Sequence, residues 1–144
     1  MNKKELSAGG VVYKVENGTY HFLMIHDRFG KVTLAKGKIE AGETLEECAL
    51  REILEETAVR GKLIELLEVV HYEYQHASTG EMIDKEVHYY LVEALTDELT
   101  AQVEEINGVE WMPAQAAWQA QLTKGYDNNR SVIQKALSYL KIEV

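Results

Sequence analysis

Apolar positions run in short, β-branched blocks along the first part of the chain. "AGGVVYKV" and "YHFLMIH" predict two strands, and the "ENG" between them predicts a hairpin turn. "DRFGKVTLAKGKIEAGE" is polar and glycine-bearing, and reads as loop around one short strand. From Leu45 to Thr57 the period becomes helical, with Leu50, Ile53 and Leu54 on one side. Thr44 and Glu47 form a capping box that fixes where this helix starts. "KLIELLEVVHYEYQ" and "KEVHYYLVEAL" predict strands joined by the polar turn "HASTGEMID", and "GVEWM" predicts a short strand. "PAQAAWQAQL" and "NNRSVIQKALSYL" predict helices, with Pro113 placed to open the first. Strands interleaved with helices predict an α/β fold, a mixed sheet with helices on both faces.

Composition narrows the class. A chain of 144 residues suits one domain, residues 1–144. With 46% apolar and 27% charged residues it reads as globular rather than disordered. The net charge of −9 argues against duplex nucleic acid as a partner. A negative chain that handles negative substrates needs local cations, and bound metal is the usual source. Cys48 is the only cysteine, which excludes an intrachain disulfide and fits a reducing, cytoplasmic setting. No apolar run follows "MNKKELSAGG" and none reaches membrane-spanning length, so no membrane partner is expected.

One feature works against stability. Glu52, Glu55 and Glu56 crowd one side of the helix near its C-terminal end, as i,i+3 and i,i+4 like-charge pairs. Each such pair costs a few tenths of a kcal/mol, and the helix dipole adds to the penalty. A solvated acidic face would explain the cluster, and so would a divalent cation, since carboxylates in this number suit Mg²⁺ or Mn²⁺.

The flanking spacing favours the cation. Gly37, Glu43, Arg51-Glu52-Ile53, Glu55-Glu56 and Val59 stand at the intervals of a string that resembles the Nudix box, the loop–helix–loop signature of the MutT-like Nudix hydrolases. Every specified position matches but one: Ala58 stands where the pattern has glycine. Glycine there would suit a left-handed turn; with alanine, the helix either accepts that strain or runs on to close at Gly61. "SAGGVV", "EVHYYLVEA" and "GVEWMPAQAAW" extend the resemblance through most of the chain.

The resemblance implies the Nudix α/β/α sandwich and hydrolysis of a nucleoside diphosphate linked to another group. It implies metal ligands at Glu52, Glu55 and Glu56 with the Gly37 carbonyl assisting, and Glu105 as a further carboxylate. Arg51 would hold Glu43, and Glu52, or else Glu55, would be the general base. "LAKGK" and Lys85 are similar to segments of the branch that cleaves diadenosine tetraphosphate. Lys36, Lys38 and Lys85 would then meet phosphates, while Tyr74, Tyr89 and Tyr126 are candidate substrate contacts. A dinucleoside polyphosphate is the expected substrate. The alternatives are a sanitising nucleoside triphosphate pyrophosphohydrolase of MutT type and a nucleotide-sensing module without catalysis. A monomer or homodimer is expected.

Overall fold

The expected hairpin turn forms at Asn17 and Gly18, whose φ values of 52° and 76° are those of a two-residue turn matched to the twist of its strands. It joins β1 (Lys3–Glu16) to β2 (Thr19–Asp27). The computed structural model describes residues 3–102 and 106–144. Its further elements are β3 (Val32–Thr33), β4 (Ala35–Lys38), α1 (Leu45–Thr57), β5 (Gly61–Gln75), β6 (Met82–Ala94), β7 (Ile106–Pro113), α2 (Ala114–Lys124) and α3 (Asp127–Tyr139).

The sheet runs β3-β2-β1-β6-β5, with β4 paired to β1 and β7 to β2. β1 and β6 are parallel and the other pairs antiparallel, so the sheet is mixed. The segment expected to hold one short strand holds two, β3 and β4. The glycines of β1 explain the second. A Cβ on Gly9 would lie 1.9 Å from the Ala35 carbonyl oxygen, so only glycine lets β4 approach there.

Alternation along β1, β2 and β6 sends successive side chains to opposite faces. Val12, Leu23, Ile25, Tyr90 and Val92 pack with α1 through Cys48, Ala49 and Ile53. Val11, Phe22, Met24, Tyr89 and Leu91 pack with Ala117 of α2 and Val132, Ile133 and Leu137 of α3. This is an α/β/α sandwich. The buried face of α1 is narrower than its leucines indicated. Small Cys48 and Ala49 are fully buried, Leu50 is only partly buried, and Leu54 lies outside the cluster. Small residues bring the helix axis, and its glutamates, close to the sheet.

The capping box forms, with Glu47 N–H donating to Thr44 Oγ1 at 3.1 Å and Thr44 N–H to Glu47 Oε1 at 2.9 Å. At the other end Ala58 takes the left-handed conformation, φ 69°, and its N–H donates to the Leu54 carbonyl at 2.9 Å. The helix therefore stops at Thr57 and does not run on to Gly61. The chain after β6 caps the last turn, with Thr100 N–H on the Thr57 carbonyl and Gln102 Nε2 on that of Leu54. An alanine held left-handed is strained by about 1–2 kcal/mol. Ala58→Gly should raise stability by about 1 kcal/mol in chemical denaturation; a lower midpoint would contradict this. Pro113 is the N-cap of α2 rather than its first helical residue, and closes β7.

Candidate active site

The acid face of α1 lies over β4 because Gly37 has no side chain. A Cβ at Gly37 would fall 2.0 Å from Glu52 Oε2, so the Glu52 carboxylate rests on the β4 backbone. Behind it the Cys48 thiol donates to the Gly37 carbonyl at 3.4 Å. Burial, with the Glu43 charge, pushes that thiol up to about 11, so it stays protonated as a donor.

Arg51 organises the loop before the helix. Its Nε and Nη2 form a fork on Glu43, at 2.6 and 3.0 Å, and Nη2 also donates to the Lys38 carbonyl at 2.9 Å. Nη1 donates to Glu52 Oε1 at 2.7 Å and lies 3.2 Å from Glu55 Oε2. The guanidinium holds the Glu43 carboxyl down at about 2. Like charges on one helix face are thus tolerated because one planar cation is shared among them.

Glu56 has no arginine. It is recessed beside Glu52, and the Lys36 backbone N–H donates to its Oε2 at 3.2 Å. Burial, followed by the neighbouring Glu52, raises Glu56 from 4.5 to about 8. The recessed Glu56 carboxyl and the neighbouring Glu52 form a hard-oxygen donor pair which a divalent cation can take over. Glu55 lines the same recess but leans on Arg51 at its rim, and among the described residues no three ligating side chains already converge. The donor set fits Mg²⁺ or Mn²⁺ by chemistry. Because the Glu56 value is higher folded than unfolded, folding retains a proton between pH 4.5 and about 8. That stabilisation is full below the window and lost as pH rises through it. Metal-free protein should melt at lower temperature at pH 9 than at pH 6, and Mg²⁺ should narrow the gap; a melting temperature that rises with pH would contradict the reading.

Two cavities meet at this point. The acidic recess, about 330 Å³, is lined by Asp27, Thr33, Lys36, Glu52, Glu55 and Glu56 among others. A second, about 350 Å³, shares Asp27, Thr33 and Lys36 and adds Tyr72, Tyr89, Tyr126, Asn128 and Asn129. Lys36 stands at the junction. Its side chain is largely buried and forms no ion pair among the described residues. Burial, then the Lys85 charge, lowers its pKa, while the Glu56, Glu5 and Glu52 charges pull the other way.

The other expected lysines lie elsewhere. Lys38 Nζ is 3.1 Å from Glu5 Oε2 and Lys85 Nζ is 3.1 Å from Glu5 Oε1, while the Tyr74 hydroxyl donates to Glu5 Oε2 at 2.7 Å. Burial disfavours the Glu5 charge, but these three donors outweigh it and hold the group at about 2. Tyr89 and Tyr126 do line the second cavity: Tyr89 donates to Asn129 Oδ1 at 3.2 Å, and Tyr126 to Asp27. Glu105 lies outside the described residues.

Sequence reading missed several lining residues. Asn129, which the sequence placed only at the start of a helix, is buried and donates to Thr33 Oγ1 at 3.1 Å, and the N-cap of α3 is Tyr126, whose side chain makes no capping hydrogen bond. Asp27 anchors the β2–β3 turn by accepting from the Phe29 and Lys31 N–H groups at 2.9 and 3.0 Å, and receives Tyr126 as well. Its place before "RFG" marked it as a turn residue and nothing more.

The NUDIX domain matches residues 4–136 of the chain. A curated relative from Mycobacterium tuberculosis (strain CDC 1551 / Oshkosh) that carries the name MutT4 is 36% identical over 116 residues. The match takes in 76% of this chain and 46% of that protein, so the chain spans about half the length of this relative. Among solved structures, the NUDIX domain of Shewanella oneidensis NrtR complexed with ADP ribose is similar at a TM-score of 0.76 and 23% identity, covering 97% of this chain and 90% of that one. A C. elegans Ap4A hydrolase binary complex reaches 0.72 at 22% identity, covering 95% and 98%. These likenesses concern the fold. With the acid helix, its arginine fork and a domain match over nearly the whole sequence, the chain belongs to the NUDIX domain family.

Proposed function

We propose that this protein hydrolyses a pyrophosphate bond in a nucleoside diphosphate derivative, with dinucleoside polyphosphates as the preferred class. The observation that carries the reading is Lys36, a largely buried ammonium that forms no ion pair among the described residues, where the acidic recess meets the tyrosine-lined cavity. A buried charge needs a counter-charge, and a substrate phosphate held between the two cavities supplies it.

The residues divide the work accordingly. The nucleoside lies along Tyr72, Tyr89 and Tyr126, where an aromatic ring can stack a base for ~1–3 kcal/mol. Lys36 fixes the adjacent phosphate. Water attacks phosphorus, the bond from phosphorus to the bridging oxygen breaks, and the leaving phosphate departs with that oxygen. Glu52 accepts the water proton through Oε2, the oxygen that Arg51 does not engage. Glu52, Glu55 and Glu56, with the Gly37 carbonyl close by, would hold Mg²⁺ or Mn²⁺. When bound, such an ion acidifies water and offsets the charge of the pyrophosphate oxygens. Arg51 acts through Glu52 and Glu43 as a positioning residue.

A second reading, pyrophosphate release from nucleoside triphosphates, is favoured by the likeness to the MutT4-named relative. A nucleotide panel with Mg²⁺, followed by product chromatography, decides between them. Diadenosine tetraphosphate is expected to turn over faster than oxidised nucleoside triphosphates, and the reverse order would select the second reading. A sensing role without catalysis is disfavoured, because such a protein has no need of the repulsive glutamates.

A further inference from the structure

β5 is the last strand of the sheet, and no strand among the described residues pairs with its outer edge. None of its 15 residues is fully buried. Its two halves differ. The register with β6 slips between Leu63 and Glu65 and again between Leu66 and Glu68, and such bulges twist an edge away from further pairing. From Val69 to Gln75 every residue stays in step with β6, from His88 back to Met82. This stretch, "VVHYEYQ", is rich in β-branched and aromatic residues and has no proline or lysine to blunt the edge. We infer that it is an interaction surface for a second copy of this chain, the two β5 strands pairing antiparallel about Tyr72, whatever substrate the active site takes.

Side-chain chemistry selects both the partner and the register. About a two-fold axis at Tyr72, His71 of each copy faces Glu73 of the other, Val70 faces Tyr74, and Tyr72 faces Tyr72. An imidazole opposite a carboxylate and an aromatic ring opposite a β-branched side chain are favourable cross-strand pairs, and the symmetry repeats each of them. A slide of two residues one way sets His71 against His71, and the other way Glu73 against Glu73, where like charges oppose pairing. A slide of one residue sets Val70 and Tyr72, which pack on the α2 and α3 side, against Glu73 and His71 of the other side. The His71 side chain is 68% exposed, and Glu86, its ion-pair partner within the chain, stands 3.6 Å away, so a closer carboxylate from outside can engage it. The helices leave this register open. α3 bonds to β5 at Glu68, through Ser131 and Lys135, and Leu50 of α1 lies against Gly61. Both contacts precede Val69, so an axis at Tyr72 keeps the two sets of helices apart.

Analytical ultracentrifugation of the metal-free chain tests the pairing apart from any reaction. The unaltered chain is expected to form a dimer that dissociates on dilution through the micromolar range. His71→Glu sets carboxylate against carboxylate at both symmetry-related positions and should weaken the dimer about 10-fold. Adding Glu73→Lys to His71→Glu restores opposite charges and should return the dissociation constant to within about 2-fold of the unaltered chain. Hydrogen exchange needs no substitution: concentrating the unaltered chain should slow amide exchange within residues 69–75 and leave the bulged residues 63–68 as they were. A chain that stays monomeric throughout this range would overturn the inference. So would a dimer that His71→Glu leaves unchanged, or one that protects other amides but none within 69–75. Weakening by His71→Glu without recovery in the double variant would overturn the register about Tyr72.

Discussion

Glu52→Gln is expected to lower turnover by about 10²–10⁴-fold while the fold persists. The amide keeps the shape that rests on Gly37 and can still accept from Arg51 Nη1, but it cannot take a proton from water. Glu56→Gln should also slow turnover strongly, through loss of a charged ligand rather than of a base. The two variants separate in the absence of metal. Glu56→Gln removes the recessed carboxyl whose proton is lost near pH 8, so it should raise the melting temperature at pH 9 more than at pH 6. Glu52→Gln should narrow the difference between the two pH values less, because it removes the second cause of the raised Glu56 value and leaves the first, burial, in place. Steady-state rates and thermal scans at both pH values check this. Undiminished turnover in both variants would remove the acid helix from the mechanism.

Lys36→Met should move function and stability in opposite directions. A charge-assisted hydrogen bond to phosphate contributes about 1.5–3 kcal/mol, so kcat/KM should fall about 10- to 100-fold. In the free protein the same ammonium is largely buried without an ion pair among the described residues, and methionine fills a similar volume without desolvation cost. The melting temperature should therefore hold or rise. A variant that is both inactive and strongly destabilised would show Lys36 to be a structural ion, braced by Glu56 and Glu5, and not a ligand site.

The local chemistry of the site was legible in the sequence. Thr44 and Glu47 fix the helix start through contacts three residues apart, and the glutamate spacing places three carboxylates on one face whatever the rest of the chain does. The interleaving of strands and helices predicted helices on both faces of a mixed sheet, and two such layers form. The substrate side was much less legible, because it is built from long-range pairs. Asn129 meets Thr33, and Tyr126 meets Asp27, across most of the chain; Tyr126 was already a candidate substrate contact, but Asn129 and Asp27 read alone showed no more than a helix start and a loop. Glu5 had no motif of its own to mark it in the sequence. Only the parallel pairing of β1 with β6, which sets Glu5 opposite Lys85, shows why Lys38, Lys85 and Tyr74 share a single carboxylate. Ala58 is the opposite case, where local preference pointed both ways and the chain after β6, binding the last-turn carbonyls, decided for the strained conformation.

The most direct test is cleavage of diadenosine tetraphosphate in ¹⁸O-enriched water with Mg²⁺, with products resolved by mass spectrometry. Hydrolysis at the acid helix predicts metal-dependent product formation, a single ¹⁸O in the terminal phosphate of one product and none in the other, and loss of the reaction in Glu52→Gln. The contradicting result is an unaltered protein that binds the compound yet leaves it intact with Mg²⁺ and Mn²⁺ alike, along with every other phosphoanhydride offered.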